Sequence, residues 1–156
     1  MRSRPTDMLS TIEKEVTAEI RAMRSSTEDD MEAALLDNPA RIARHFILAS
    51  HGNVQLRLRV VAKELAVEMR TLERAFSDEY QMTMAGFQVA VRLASAQWLL
   101  SIFPPTKISA VSAMLGYSLV QDFNRFFKQH TRQSPSEWSR IERAKIAQAA
   151  TGREHS

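Results

Sequence analysis

The chain has 156 residues, 44% of them hydrophobic, enough for a packed core in one domain or in two small units sharing a helix. It has no cysteine, so disulfides, zinc–thiolate sites and thiol catalysis are excluded, and its apolar runs are too short to span a membrane. The net charge of +3 is unevenly spread: residues 1–40 sum to −4 and residues 41–156 to +7, an acidic head on a basic body suited to a polyanion.

Leu9, Ile12, Val16, Ile20 and Met23 recur at spacings of three and four, which predicts an amphipathic helix over 7–24. Ser25-Ser26 interrupts it, and Thr27 with Asp30 resembles a capping box for a short helix through Leu36. Asn38-Pro39 reads as an N-cap followed by a first-turn proline. The helix it opens carries Ile42, Phe46 and Ile47 inward and should end near His51-Gly52.

A pattern then occurs twice, about fifty residues apart. In the first copy a support helix over 55–65 carries Leu56, Leu58, Val61 and Leu65. A turn at Ala66-Val67-Glu68 leads into a second helix from Met69 to about Tyr80, where Leu72 and Phe76 share a buried face. A long helix over 83–101 follows, with Phe87, Val91, Leu93, Ala94, Ala96, Trp98, Leu99 and Leu100 around much of its circumference. Such a helix is gripped from two sides, and Trp98 reads as core rather than as a base-stacking platform. Phe103-Pro104-Pro105 stops it.

In the second copy Thr106 reads as the cap of a support helix over 107–114 containing Val111-Ser112. Gly116 supplies the turn, Ser118 reads as a cap, and the second helix runs to about Thr131 with Phe123, Phe126 and Phe127 inward. Ser134-Pro135-Ser136-Glu137 joins a capping box to a first-turn proline and opens a last helix anchored by Trp138 and Ile141, with a frayed tail after Ala150.

In each second helix the arginine between the apolar pair, Arg74 or Arg125, is turned roughly 200° from that face, so it points to solvent. A support helix, a turn and a basic second helix make a helix-turn-helix, and a tandem pair suits consecutive turns of DNA. The exposed stripe of the first recognition helix is Arg70, Glu73 and Arg74, with Ser77 at its edge. An arginine can pair bidentately with guanine O6/N7, while Glu73 can accept from a cytosine amine or orient an arginine; we favour the orienting role. The stripe of the second is Val120, Gln121, Asn124 and Arg125: Gln121 suits adenine, and Val120 a thymine methyl. Asp122 near the groove reads as capping the helix start. Lys128 and Arg132 lie further along and suit phosphates, as do the helix starts at Thr83 and Ser134, which serve equally as ordinary caps. Against every exposed charge stands the plainer reading of a solvated surface group. His45, His51, His130 and His155 have no metal-ligand spacing. With no phosphate loop and no nucleophile elbow, neither a cofactor nor an enzymatic activity is expected.

Leu115-Gly116-Tyr117-Ser118, then Phe123, Arg125 and Phe127-Lys128, closing on Ser134-Pro135 and Trp138, resembles the signature of the AraC/XylS family of bacterial transcription regulators. Arg92-Leu93, Ala96 and Leu99-Leu100 are similar to the family's linker helix, and the resemblance covers about residues 39–141. It implies an all-α fold of two helix-turn-helix subdomains joined by a long linker helix, here preceded by a helical extension over 1–38. The DNA-binding domain would span 39–150, with the first helix-turn-helix at about 55–81, the linker at 83–101 and the second helix-turn-helix at 106–132. It also implies base contacts at Arg70 and Arg74, double-stranded DNA and RNA polymerase as partners, and most often activation, in the bacterial cytoplasm. A small-molecule effector is not expected, since only about forty helical residues precede the domain. Residues 7–36 are expected to pair with their own copy, to bind another protein, or to pack on the domain.

The family's glycine after each recognition helix is replaced by Gln81 and Arg132. If those backbones are left-handed, each costs about 1 kcal/mol. Glu68-Met69 replaces the usual Ser-Pro-like start, and Ser112 the usual alanine. The acidic Glu68, Glu73 and Asp122 keep a second function open, a helical protein–protein adaptor with weak DNA binding.

Overall fold

The computed structural model describes residues 38–102 and 106–154. The helices expected over 7–24 and through Leu36, and the Phe103-Pro104-Pro105 stop, lie outside them. The described residues form seven helices and no strand: α1 (Pro39–Ala49), α2 (Leu58–Glu64), α3 (Met69–Tyr80), α4 (Met84–Ser101), α5 (Ile108–Met114), α6 (Val120–Thr131) and α7 (Pro135–Glu154). They divide between Arg92 and Leu93, within α4, into two compact units, each with its own core.

In the first unit Asn38 caps α1, its Oδ1 accepting from the Ala40 amide at 3.0 Å. Ile42, Phe46 and Ile47 of α1 meet Val61, Leu72, Phe76 and Met84 in the core, with Phe87 and Val91 packed at its edge. Removing each such large side chain from water contributes about 1.5–3 kcal/mol. Arg41 of α1 pairs with Glu79 of α3 at 3.0 Å. The segment between α1 and α2 has no regular structure, so its buried carbonyls need partners from elsewhere. Two buried polar residues of α4 supply them. Gln88 Nε2 donates to the carbonyls of Asn53 (3.0 Å) and Leu56 (3.1 Å), and Arg92 Nε donates to that of Gly52 (2.8 Å). Leu56 is therefore held in this clamped segment, and α2 begins at Leu58 rather than at 55.

The second unit packs Ala96, Leu99 and Leu100 against Val111, Leu115, Phe123 and Phe127, with Trp138 edge-on to Phe127 at 5.7 Å. The Ser139 hydroxyl is buried and donates to the Leu100 carbonyl at 2.9 Å, which ties α7 to α4.

Left-handed backbone closes the corresponding corners of both units. Ala66 (φ 56°) and Gly116 (φ 90°) make the turns, while Gln81 (φ 54°) and Arg132 (φ 63°) end the recognition helices. Their amides donate at 2.8 Å to the carbonyls of Ser77 and Lys128 respectively. Gln81 adds a side-chain bond to the Asp78 carbonyl at 2.8 Å, a local interaction that offsets part of its strain.

Several local expectations are corrected. Trp98 is 60% exposed, because it lies about 200° round the helix from both Ala96 and Leu100, which face the core. Ile141 is 37% exposed, and the inward position on that stretch of α7 belongs to Ser139. Phe126 is only half-buried. Thr106 and Ser118 cap nothing: the N-caps are Lys107 and Leu119, neither with a side-chain capping bond. α7 continues past Ala150 to Glu154.

Candidate nucleic-acid interface

On α3 the alternation of apolar and charged residues produces two opposed faces. Leu72 and Phe76 are fully buried, and Arg70, Glu73 and Arg74 are exposed. The three lie on the rim of an open concavity of about 600 Å³ that also takes in Leu58, Met69, Thr83 and Met84. Thr83 is a helix cap as well, its Oγ1 accepting from the Gly86 amide at 3.0 Å. Among the described residues no ion pair joins Glu73 to either arginine, so the orienting role assigned to it has no contact behind it. The N-cap Glu68 makes no side-chain bond, so the first turn of α3 is uncapped.

α6 repeats the arrangement. Phe123 and Phe127 are buried, and Val120, Gln121, Asn124 and Arg125 are exposed along the opposite side, with Lys128 and Arg132 exposed further along. Asp122 caps nothing; its Oδ1 lies 3.8 Å from Arg125 Nη1, an exposed pair one turn apart and worth well under 1 kcal/mol. This places a carboxylate beside an arginine on the second helix, the kind of neighbour expected of Glu73 on the first. Ser134 is half-buried and its hydroxyl accepts from the Glu137 amide at 3.2 Å, so it caps α7.

Two features escaped the sequence reading. Leu119 is 55% exposed beside Val120, which puts a leucine at the entrance of the second recognition helix; the only signal was an apolar residue just outside the buried register. The Gln88 and Arg92 clamp was hidden because spacing within α4 does not tell a buried polar residue from a solvent-facing one. Among the described residues no cluster of histidine and acidic side chains is arranged to hold a metal ion, and no helix is long and apolar enough to cross a membrane.

Each unit thus stands a solvent-facing basic helix on a short support helix across a left-handed turn, and the two together define a tandem helix-turn-helix module. A family model described as a helix-turn-helix domain matches residues 61–141. Among solved structures, the chain is similar to the C-terminal domain of AraT, a response regulator from Geobacillus stearothermophilus. Identity is 25%, with 66% of this chain and 84% of that one covered at a TM-score of 0.59. A probable AraC family transcriptional regulator from Rhodopseudomonas palustris aligns at 24% identity over 68% of this chain and 98% of its own, with a TM-score of 0.53. The C-terminal domain of the two-component response regulator yesN from Fusobacterium nucleatum aligns at 19% identity over 63% and 94%, with a TM-score of 0.56. No curated protein matches the sequence. The chain belongs to the AraC/XylS family of helix-turn-helix proteins, whose members are DNA-binding transcription regulators rather than enzymes.

Proposed function

We propose that the chain is a sequence-specific transcription regulator that places α3 and α6 in successive major grooves of one DNA face. In this reading Arg70, Arg74, Gln121, Asn124 and Arg125 read bases, and Val120 meets a thymine methyl. Lys128 and Arg132 neutralise phosphates. Residues 39–150 are the DNA-binding domain, and the regulator works in the bacterial cytoplasm as an activator, contacting RNA polymerase through a face away from the grooves. The observation that carries the reading is the register: an exposed arginine sits between two buried apolar residues four apart on both α3 and α6. Each arginine, if bidentate to guanine, contributes about 1–3 kcal/mol of discrimination.

The test is a fluorescence-anisotropy titration on selected and random duplexes at several salt concentrations. A regulator shows a steep negative salt slope and a selected site spanning about two helical turns. Arg74→Ala and Arg125→Ala should each lose preference at a different local cluster of base pairs. Lys128→Ala should weaken all sequences alike and flatten the salt slope by about 1. Arginine variants that bind the selected duplex as tightly as the parent chain would overturn the groove assignment. Weak, sequence-blind binding throughout would favour the adaptor reading, for which Glu73 on the reading face is the specific support.

A further inference from the structure

The concavity beside α3 combines an apolar floor with a cationic rim. Leu58 and Met69 are half-buried in it, Met84 is buried, and Arg70 and Arg74 stand exposed at its edge; Glu73 is the one acidic residue of its lining. The residues 38–92 around it carry eight basic and five acidic side chains, a net of +3. The chain preceding α1 has the complementary chemistry. Residues 28–37 contain Glu28, Asp29, Asp30, Glu32 and Asp37 with no basic residue, together with Met31, Leu35 and Leu36.

The point of attachment suits that complementarity. Arg41, three residues after Asn38, is held 3.0 Å from Glu79 in the last turn of α3, so the preceding chain joins the first unit at that end of the recognition helix. α3 has 12 residues, a length of about 18 Å at 1.5 Å each. Ten residues span about 15 Å as the helix expected through Leu36 and at most about 33–36 Å extended, so in either form residues 28–37 can run back along α3 past Arg74 to Arg70.

We propose that residues 28–37 dock in this concavity in the DNA-free protein, their carboxylates on Arg70 and Arg74 and their apolar side chains over Leu58, Met69 and Met84. The segment occupies the same guanidinium groups as the duplex, so it is an internal competitor that sets a threshold for DNA binding. A short tether gives an effective concentration of the order of millimolar. Even an intrinsic affinity of about 0.1 mM would then lower apparent DNA affinity about tenfold. This competition rests on the reading of α3 as a DNA-reading helix; the docking itself does not.

Two measurements on the full chain separate the two. In the first, a spin label at Thr27→Cys in this otherwise cysteine-free chain is observed without DNA by amide NMR. Docking predicts that the amides of residues 70–74 broaden and those of 121–125 do not, and that broadening disappears when Asp29→Asn, Asp30→Asn and Glu32→Gln are combined. Absent broadening, broadening on α6 instead, or broadening that arises between spin-labelled and separately isotope-labelled chains in a mixture overturns the proposal, whatever the DNA result. In the second, DNA affinity of the triple variant is compared with that of a control neutralising Glu13, Glu15 and Glu19, which changes net charge equally. The triple variant should bind at least fivefold tighter than the control at low salt, with the difference shrinking as salt rises. Equal affinities would overturn the competition. If neither chain binds DNA while the broadening is present, the regulator reading fails and the docking stands.

Discussion

Gly52→Ala would build a methyl group at φ +67°, with its carbon 2.4 Å from the Gln88 carbonyl oxygen, 2.6 Å from the Arg92 nitrogen and 3.0 Å from the Arg92 Cα. All three are main-chain atoms of α4, so no rotamer change relieves the clash; either the segment between α1 and α2 or the helix has to move. The left-handed backbone of a non-glycine residue costs about 1–2 kcal/mol, and overpacking against rigid atoms about 1–3 kcal/mol. Movement would also stretch the 2.8 Å bond from Arg92 to the Gly52 carbonyl and the pair from Gln88 to Asn53 and Leu56. A loss of about 3 kcal/mol is expected, a large share of the 5–15 kcal/mol typical of a native protein. In urea denaturation followed by circular dichroism, an m-value near 2 kcal/mol/M converts this into a midpoint lower by about 1.5 M. Both tryptophans, Trp98 and Trp138, belong to the second unit, so their fluorescence follows that unit separately. A circular dichroism midpoint within about 0.3 M of the parent chain would show that the segment yields without cost and that the Gln88 and Arg92 clamp does not hold it.

The remaining predictions also concern stability. Gln81→Gly and Arg132→Gly each relieve a left-handed strain and should raise thermal stability by about 0.5–1 kcal/mol. The gain should be smaller at Gln81, whose side chain bonds to the Asp78 carbonyl; a loss at both positions in differential scanning calorimetry would contradict the assigned backbone. The Ser112 hydroxyl is buried without a hydrogen-bond partner among the described residues, so Ser112→Ala should stabilise by about 1 kcal/mol. A lower melting temperature for that variant would mean that the hydroxyl has a partner after all.

The helix-turn-helix signal was readable because its ingredients are local. The spacing of Leu72 and Phe76, and of Phe123 and Phe127, defines a buried face whatever packs against it, and the outward arginine follows from helical geometry alone. The left-handed positions at Gln81 and Arg132 were anticipated only through resemblance, because neither residue type signals a positive φ. Within the interface, the exposure of Arg70, Arg74 and Arg125 followed from periodicity. The partnering of Asp122 with Arg125, and the lack of any such pairing for Glu73, depended on side-chain geometry that spacing does not specify.

Caps show the same boundary. Asn38 and Ser134 act on amides two and three residues away, and their chemistry was legible in a few letters. Ser118 and Thr106 had suitable chemistry and were passed over, because the N-cap positions fall at Lys107 and Leu119, one residue past each. Short-range periodicity and turn chemistry therefore sufficed to establish the helices of the described residues and their duplicated motif. Packing between distant segments settled which polar groups went inside: Gln88 and Arg92 are buried where a loop 32 to 40 residues earlier brings the carbonyls to which they donate. It also left Trp98 in solvent, since a helix can turn only one arc toward its neighbours, and Ala96, Leu99 and Leu100 already occupy it.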